Sequence, residues 1–114
     1  MTTYSTQQAL EIWRGALVEG VRRDSPDLTA RQLAILLSVY LVPAPHTVRG
    51  LSAELGIAKP AVTRALDTLS SLDYVRRVPD PDDKRSINIK RTVKGSVFLT
   101  EYGELVTNSI NRTV

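Results

Sequence analysis

The sequence predicts a mainly α-helical fold with one small β hairpin, and three observations support this prediction. Apolar residues recur at the three-and-four spacing of a helix face along most of the chain. Prolines, glycines and capping residues separate the helical segments. Between residues 75 and 90 the pattern changes to short β-branched runs. With 114 residues, 42% hydrophobic and 24% charged, the chain has the size and composition of a single globular domain spanning residues 1–114.

The chemistry that the sequence lacks excludes several classes of protein. There is no cysteine, which excludes disulfides, thiolate metal sites and cysteine nucleophiles. The one histidine, His46, cannot alone form an ordinary zinc site or a nucleophilic pair, and we expect it to lie in a loop. The sequence has no glycine-rich phosphate loop and no hydrolase or metalloprotease motif. We therefore expect neither an enzyme nor a cofactor or metal.

Two features of the sequence favour the cytoplasm. The N-terminal segment has its first basic residue at Arg14 and lacks the apolar core of a signal peptide. The most apolar stretch, residues 33–42, is well below the roughly 20 residues that span a bilayer. We therefore expect a cytoplasmic protein in which this stretch is a buried helix.

The basic residues are concentrated in one segment. Residues 1–58 contain five Lys or Arg and five Asp or Glu, whereas residues 59–95 contain nine basic and five acidic residues. A polyanion that contacts this segment would explain the excess, and so would an ordinary solvated face. Charge alone leaves the two interpretations open.

Spacing and breakers predict two helices in the first part of the chain. Over residues 5–23, one helical face collects Ala9, Trp13, Ala16, Leu17, Gly20 and Val21, which we expect to be buried. Thr29 and Gln32 form a capping box for a second helix. That helix runs to about residue 42, where Pro43 ends it.

The following residues predict a helix-turn-helix and a hairpin. Residues 49–55 and 59–72 read as helices joined at Gly56, the residue best suited to a left-handed cap, and the second should bury Val62, Leu66 and Leu69. Residues 75–78 and 86–90 read as strands around a charged loop, and Gly95 should separate the hairpin from a last helix at about 96–112. Together these elements predict a winged helix-turn-helix core at about 28–95, flanked by terminal helices at about 5–23 and 96–112. The second short helix is sized for a DNA major groove, and the wing carries two cations, so the pattern favours DNA as the polyanion.

Three motifs, in this order, resemble the MarR family of winged helix-turn-helix regulators across about residues 28–102. The segment VRGLSAELGI at 48–57 is similar to the helix-turn entry, and KPAVTRALDTL at 59–69 to the recognition helix. The most specific is DPDDKRS at 80–86, followed by INI and then TVKG. The resemblance implies a homodimer joined through its terminal helices, with recognition helices in successive major grooves and a wing arginine in each minor groove. It also implies repression, and release of DNA by a small aromatic effector.

The sequence departs from the family at three points. Ala58 stands where the family usually has a serine, which removes a helix N-cap worth about 1 kcal/mol, and Arg91 replaces a usual leucine. Nineteen residues follow Gly95 (114 minus 95), fewer than in most relatives. We expect a smaller dimer interface and a small or absent ligand pocket.

The candidate DNA-binding residues lie on the recognition helix and the wing. Arg85 should enter the minor groove, with Asp83 orienting it through a charge-assisted hydrogen bond, although a solvated arginine is the simpler alternative. Arg64 could read a guanine or form a surface ion pair with Asp67. The remaining candidates contact phosphates or base edges, and they are Lys59, Pro60, Ala61, Thr63, Thr68, Arg77 and Lys84. Asp80 and Asp82 should shape the turn.

Four aromatic residues should belong to the core, or else line an effector pocket: Trp13, Tyr40, Phe98 and Tyr102.

We therefore expect a sequence-specific regulator that binds a pseudo-palindromic double-stranded DNA site as a homodimer and represses transcription. One alternative is a winged-helix module that binds a protein and contacts DNA only weakly. Another is a nucleoid-type protein that binds DNA without sequence preference.

Overall fold

Residues 3–113, the part of the chain that the computed structural model describes, form five helices and one two-stranded antiparallel sheet. In chain order the elements are α1 (Thr6–Arg22), α2 (Ala30–Leu41), α3 (Val48–Leu55), α4 (Lys59–Ser71), β1 (Val75–Pro79), β2 (Ile87–Arg91) and α5 (Val93–Thr113). Within this range, no helix is both long and apolar enough to cross a membrane.

The chain divides into two compact units. The first, which we call the terminal unit, contains the described residues up to Asp27 together with those from Leu99 onward. The second, the central unit, is Leu28–Phe98 and contains the predicted helix-turn-helix and hairpin.

Local side-chain signals decide where the helices begin and end. The Thr29 side chain accepts a hydrogen bond from the Gln32 N–H, and the Gln32 side chain accepts one from the Thr29 N–H, which confirms the predicted capping box. Gly56 ends α3 at φ 67° and ψ 32°, as predicted for a left-handed cap. Ala58 precedes α4 and provides no side-chain cap.

The core of the central unit forms where four helices and the hairpin meet. The inward face of α4 is the predicted one, since Val62, Leu66 and Leu69 are fully buried. The rings of Tyr74 and Phe98 stack with their centroids 4.6 Å apart, which confirms Phe98 as a core residue. The other buried apolar side chains of this unit are Ile35, Leu36, Val39, Leu51, Ala65, Val75 and Ile89.

The hairpin pairs Val75 with Arg91 at its base and Pro79 with Ile87 at its tip. Both strands end one residue later than predicted. The backbone beside β2 is also paired, because the Ile89 N–H donates to the His46 carbonyl at 2.9 Å. His46 lies in a loop, as expected, but it is buried, with Nε2 2.8 Å from the Val42 carbonyl oxygen. The loop before α3 therefore holds the hairpin from one side.

The Tyr40 hydroxyl connects α2 to the base of the hairpin, where the chain enters β1 and leaves β2. It lies 2.9 Å from the carbonyl oxygens of Tyr74 and Thr92, and it accepts a hydrogen bond from the Thr92 N–H at 2.9 Å. The Thr92 hydroxyl donates to the Asp73 carbonyl at 2.6 Å and accepts from the Gly95 N–H at 2.9 Å. These bonds join the residues that enter and leave the hairpin.

The predicted break at Gly95 is wrong, because α5 begins at Val93 and Gly95 lies in its first turn. The glycine is needed for packing: an added Cβ would overlap the Tyr40 hydroxyl and the Tyr74 carbonyl. The glycine that the sequence marks as a helix breaker is therefore a point of close contact between α5 and Tyr40.

The predicted buried face of α1 is only partly correct. Ala16 and Gly20 are buried, but Trp13 is 63% exposed and Val21 is 68% exposed. The reason lies in α5, which packs on the glycines of α1: an added Cβ at Gly15 would overlap the Ser109 hydroxyl, and one at Gly20 would crowd the Tyr102 ring. The Ser109 hydroxyl also donates to the Ile12 carbonyl at 2.6 Å. The larger apolar side chains of α1 consequently face outward, so Trp13 is not a core residue of the described chain.

Replacing Gly95 with alanine should lower the free energy of unfolding by about 1–3 kcal/mol, the usual effect of overpacking. The matched control is Gly103→Ala in the same helix, where an added Cβ meets nothing within 4 Å. That change should raise the stability by up to about 1 kcal/mol, because alanine favours helix over glycine. Urea unfolding followed by circular dichroism measures both, and equal effects of the two substitutions would contradict this packing.

Candidate nucleic-acid interface

The side of α4 opposite its buried face carries the predicted recognition residues. Lys59, Pro60, Thr63 and Arg64 are exposed there, and Ala61 and Thr68 are half-buried. The helix is amphipathic, so burial of Val62, Leu66 and Leu69 leaves its polar side chains free to face a ligand. The Arg64 guanidinium forms no ion pair with any described residue.

The loop between β1 and β2, residues 80–86, which we call the wing loop, projects two exposed cations. The Arg85 side chain is 95% exposed, and Lys84 is exposed beside it. The Asp83 carboxylate accepts a hydrogen bond from the Arg85 N–H at 3.0 Å and lies 3.6 Å from its Nε. Asp80 shapes the start of the loop as predicted, because its carboxylate accepts from the Asp82 N–H at 2.8 Å. The hydrogen bond that Asp83 accepts comes from the Arg85 backbone, and 3.6 Å is too long for the predicted hydrogen bond to the guanidinium. The acidic residues fix the loop backbone and leave the Arg85 head group in solvent.

A cleft of about 690 Å³ separates this loop from the first turns of α3 and α4. We call it the wing cleft. It brings together three of the predicted site residues, Lys59, Asp83 and Arg85, with a cation that is not among the predicted residues, Arg49. Its remaining lining residues are Thr47, Val48, Ser86 and Ile87. With three cations and one carboxylate, the wing cleft has a formal charge of +2.

Arg77 does not lie in the wing cleft. Its Nη1 donates to Asp67 Oδ1 at 2.6 Å, so the pair connects β1 to the exposed face of α4. Asp67 therefore pairs with Arg77 and not with Arg64, the partner that the sequence spacing suggests. A partly exposed pair of this kind contributes at most about 1 kcal/mol to stability.

Arg91 has a structural role that the sequence did not indicate. Its Nε donates to the Val39 carbonyl at 2.9 Å, and its guanidinium carbon lies 5.8 Å from the centre of the Tyr40 ring. A cation at the last turn of α2 satisfies a free carbonyl and interacts favourably with the helix dipole. The arginine therefore ties the end of β2 to the end of α2.

No group of three or more histidine, cysteine, aspartate or glutamate side chains in residues 3–113 is arranged to hold a metal ion.

The family is established by comparison with known sequences. A sequence model of the MarR family matches residues 27–86, which is more than half of the chain. The chain belongs to the MarR family. It is 33% identical over 89 residues to the multiple antibiotic resistance protein MarR of Escherichia coli K12, covering 75% of this chain and 59% of that protein. With MarR of Salmonella typhimurium it shares 36% identity over 75 residues, covering 63% and 49%. The chain thus spans about half to three-fifths of the length of these relatives.

Solved structures of the family have the same fold. The transcriptional regulator Tm0710 from Thermotoga maritima aligns with a TM-score of 0.71 and 28% identity, covering 93% of this chain and 69% of that one. An E. coli MarR mutant complexed with operator DNA aligns with a TM-score of 0.70 and 27% identity, covering 93% and 70%. These proteins are transcriptional regulators and not enzymes. The comparison confirms the predicted fold class, a winged helix-turn-helix with a small β wing.

Proposed function

We propose that this MarR-family chain is a regulator that binds double-stranded DNA as a homodimer and represses transcription from a pseudo-palindromic site. The observation that carries the proposal is that the start of α4, at Lys59, and the wing loop border a cationic cleft within one compact unit. A duplex is the ligand that such a surface fits, because it offers a major groove for a helix and regularly spaced phosphates for the cations. The proposed place of action is the cytoplasm.

The first turns of α4 read the major groove in this proposal. Arg64 is exposed and has no ion-pair partner among the described residues, so its two donor edges are available for the O6 and N7 atoms of a guanine. Thr63 lies beside it and can contact a base edge or a phosphate. Pro60, Ala61 and Thr68 supply apolar or hydroxyl contacts from the same helix.

The wing loop enters the neighbouring minor groove. Arg85 projects from a loop whose backbone is fixed by Asp80 and Asp83, so little conformational freedom is lost on binding. A guanidinium inserted into a narrow minor groove benefits from the enhanced negative potential there. Lys84 and Arg77 contact the backbone; a guanidinium has five N–H donors, and Asp67 occupies the Nη1 side of Arg77.

The outward face of α1 forms the dimer interface. Leu10, Trp13, Leu17 and Val21 recur at helical spacing and are all exposed, and the surface around the first three is a shallow, almost entirely apolar depression. A large exposed apolar patch is typical of an interaction site. A second copy of the chain is the occupant that gives two recognition helices related by a two-fold axis, which is what a pseudo-palindromic site requires.

Release of DNA by a small aromatic effector remains a prediction from the resemblance.

Selection of bound duplexes from a random pool, at near-physiological salt, tests this function. The expected result is an enriched inverted repeat whose half-sites are about one helical turn, roughly 10 bp, apart. Recovery of duplexes without a common motif would instead indicate a nucleoid-type protein. No recovery at all would favour the protein-interaction module.

Substituting Leu10 with lysine should weaken the dimer at least about 30-fold, because a truncated or charged interface anchor typically loses 2 kcal/mol or more. The matched control is Leu41→Lys, in which an exposed leucine of α2, outside the α1 face, receives the same charge. Leu41 is 76% exposed and Leu10 is 58% exposed, so neither change should unfold the chain. Sedimentation equilibrium measures the dimer dissociation constant, and an unchanged constant in the Leu10 variant would exclude this face.

A further inference from the structure

The wing cleft lies where one strand of DNA would have to pass. If α4 occupies a major groove and the wing loop the neighbouring minor groove, a single sugar-phosphate strand separates the two. That strand must cross the gap between α4 and the wing loop, and the wing cleft is this gap. This step rests on the proposed function.

The chemistry of the wing cleft fits a phosphodiester strand. Its cations come from three elements: Arg49 from the first turn of α3, Lys59 from the start of α4, and Arg85 from the wing loop. The acidic side chain in the lining, Asp83, accepts a hydrogen bond from the Arg85 N–H and lies at ion-pair distance, 3.6 Å, from the exposed Arg85 guanidinium. Ile87, which is exposed and apolar, also lines the cleft and can pack against the apolar face of a deoxyribose.

Within residues 3–113, Arg49 has no ion-pair partner that would give it a structural role. It is exposed, and no ion pair between described residues involves it or Lys59. In contrast, Arg77 and Arg91 are both engaged by other parts of the central unit. Arg49 is therefore available to a ligand in the cleft.

We propose that the wing cleft binds the DNA backbone between the two grooves and that Arg49 contacts one of its phosphates. Arg49 does not read sequence. It fixes the depth of α4 in the major groove, because the same strand is held by α3, by α4 and by the wing. Loss of this contact weakens binding to every sequence to a similar extent and leaves the preferred motif unchanged.

The test compares Arg49→Ala with Arg31→Ala, using the full chain and the duplex selected above. Arg31 is an exposed arginine of α2 that does not line the wing cleft, so its removal makes the same change in net charge. Affinities are measured between 50 and 200 mM salt. Arg49→Ala should reduce the slope of log affinity against log salt by about 0.9, the value for one phosphate. The ratio of parent to variant affinity is then about 3.5-fold greater at 50 mM than at 200 mM salt, as a slope difference of 0.9 requires.

Arg49→Lys and a set of neutral phosphates separate charge from folding. Lysine should keep the parent slope. In a duplex series with one uncharged methylphosphonate linkage each, the parent should lose affinity at a linkage between the major-groove half-site and its flanking minor groove. The Arg49→Ala variant should bind the duplex with that neutral linkage as tightly as it binds the unmodified duplex.

Three results would overturn the proposal. A slope for Arg49→Ala equal to that of Arg31→Ala would remove Arg49 from the backbone contacts and leave the proposed function intact. If the losses of affinity caused by Arg49→Ala and by a neutral linkage add up at every linkage, Arg49 contacts none of these phosphates, and the proposed function again stays intact. Failure of the parent chain to bind any duplex would overturn both the cleft assignment and the proposed function.

Discussion

The hydroxyl group of Tyr40 determines where the wing lies, and the proposed interface depends on it. A two-stranded hairpin is at best marginally stable alone in water, so the rest of the central unit must fix its direction. Tyr40 does so at the two residues that enter and leave the hairpin, Tyr74 and Thr92. Arg91 adds a second link from the end of β2 to the end of α2. The base of the hairpin is therefore fixed. The Arg77–Asp67 pair and the bond from the Ile89 N–H to the His46 carbonyl hold the strands that carry the wing loop to the wing cleft.

The carboxylates explain how a chain with a net charge of only +3 presents a cationic surface. Acidic residues near phosphates would ordinarily repel DNA. Here Asp80 and Asp83 accept hydrogen bonds from the backbone of the wing loop, and Asp67 pairs with Arg77. Each carboxylate thus serves to position a loop or a strand. The cations that face the wing cleft outnumber the one acid there, although the whole chain is close to neutral.

Sequence signals that act within a few residues predicted the elements, whereas contacts between distant residues could not be predicted. The capping box at Thr29 and the left-handed turn at Gly56 depend only on their neighbours, and both are confirmed. The need for glycine at position 95 comes from the Tyr40 hydroxyl on another helix and from the Tyr74 carbonyl, so neighbouring residues do not reveal it. The buried face of α1 likewise depends on a distant residue, because the Ser109 side chain of α5 leaves no room for a Cβ at Gly15. In the candidate site, spacing identified the polar face of α4 and the wing, but Arg49 becomes part of it only through the way that α3 packs beside α4.

The most direct test of the account is dimethyl sulfate protection on the selected duplex, because this reagent methylates guanine N7 in the major groove and adenine N3 in the minor groove. With the parent chain, each half-site should show protected guanine N7 atoms next to a flanking stretch of protected adenine N3 atoms. Arg85→Ala should remove the adenine protection and keep the guanine protection. Loss of both kinds of protection, or of neither, in Arg85→Ala would contradict the assignment of α4 and the wing to neighbouring grooves.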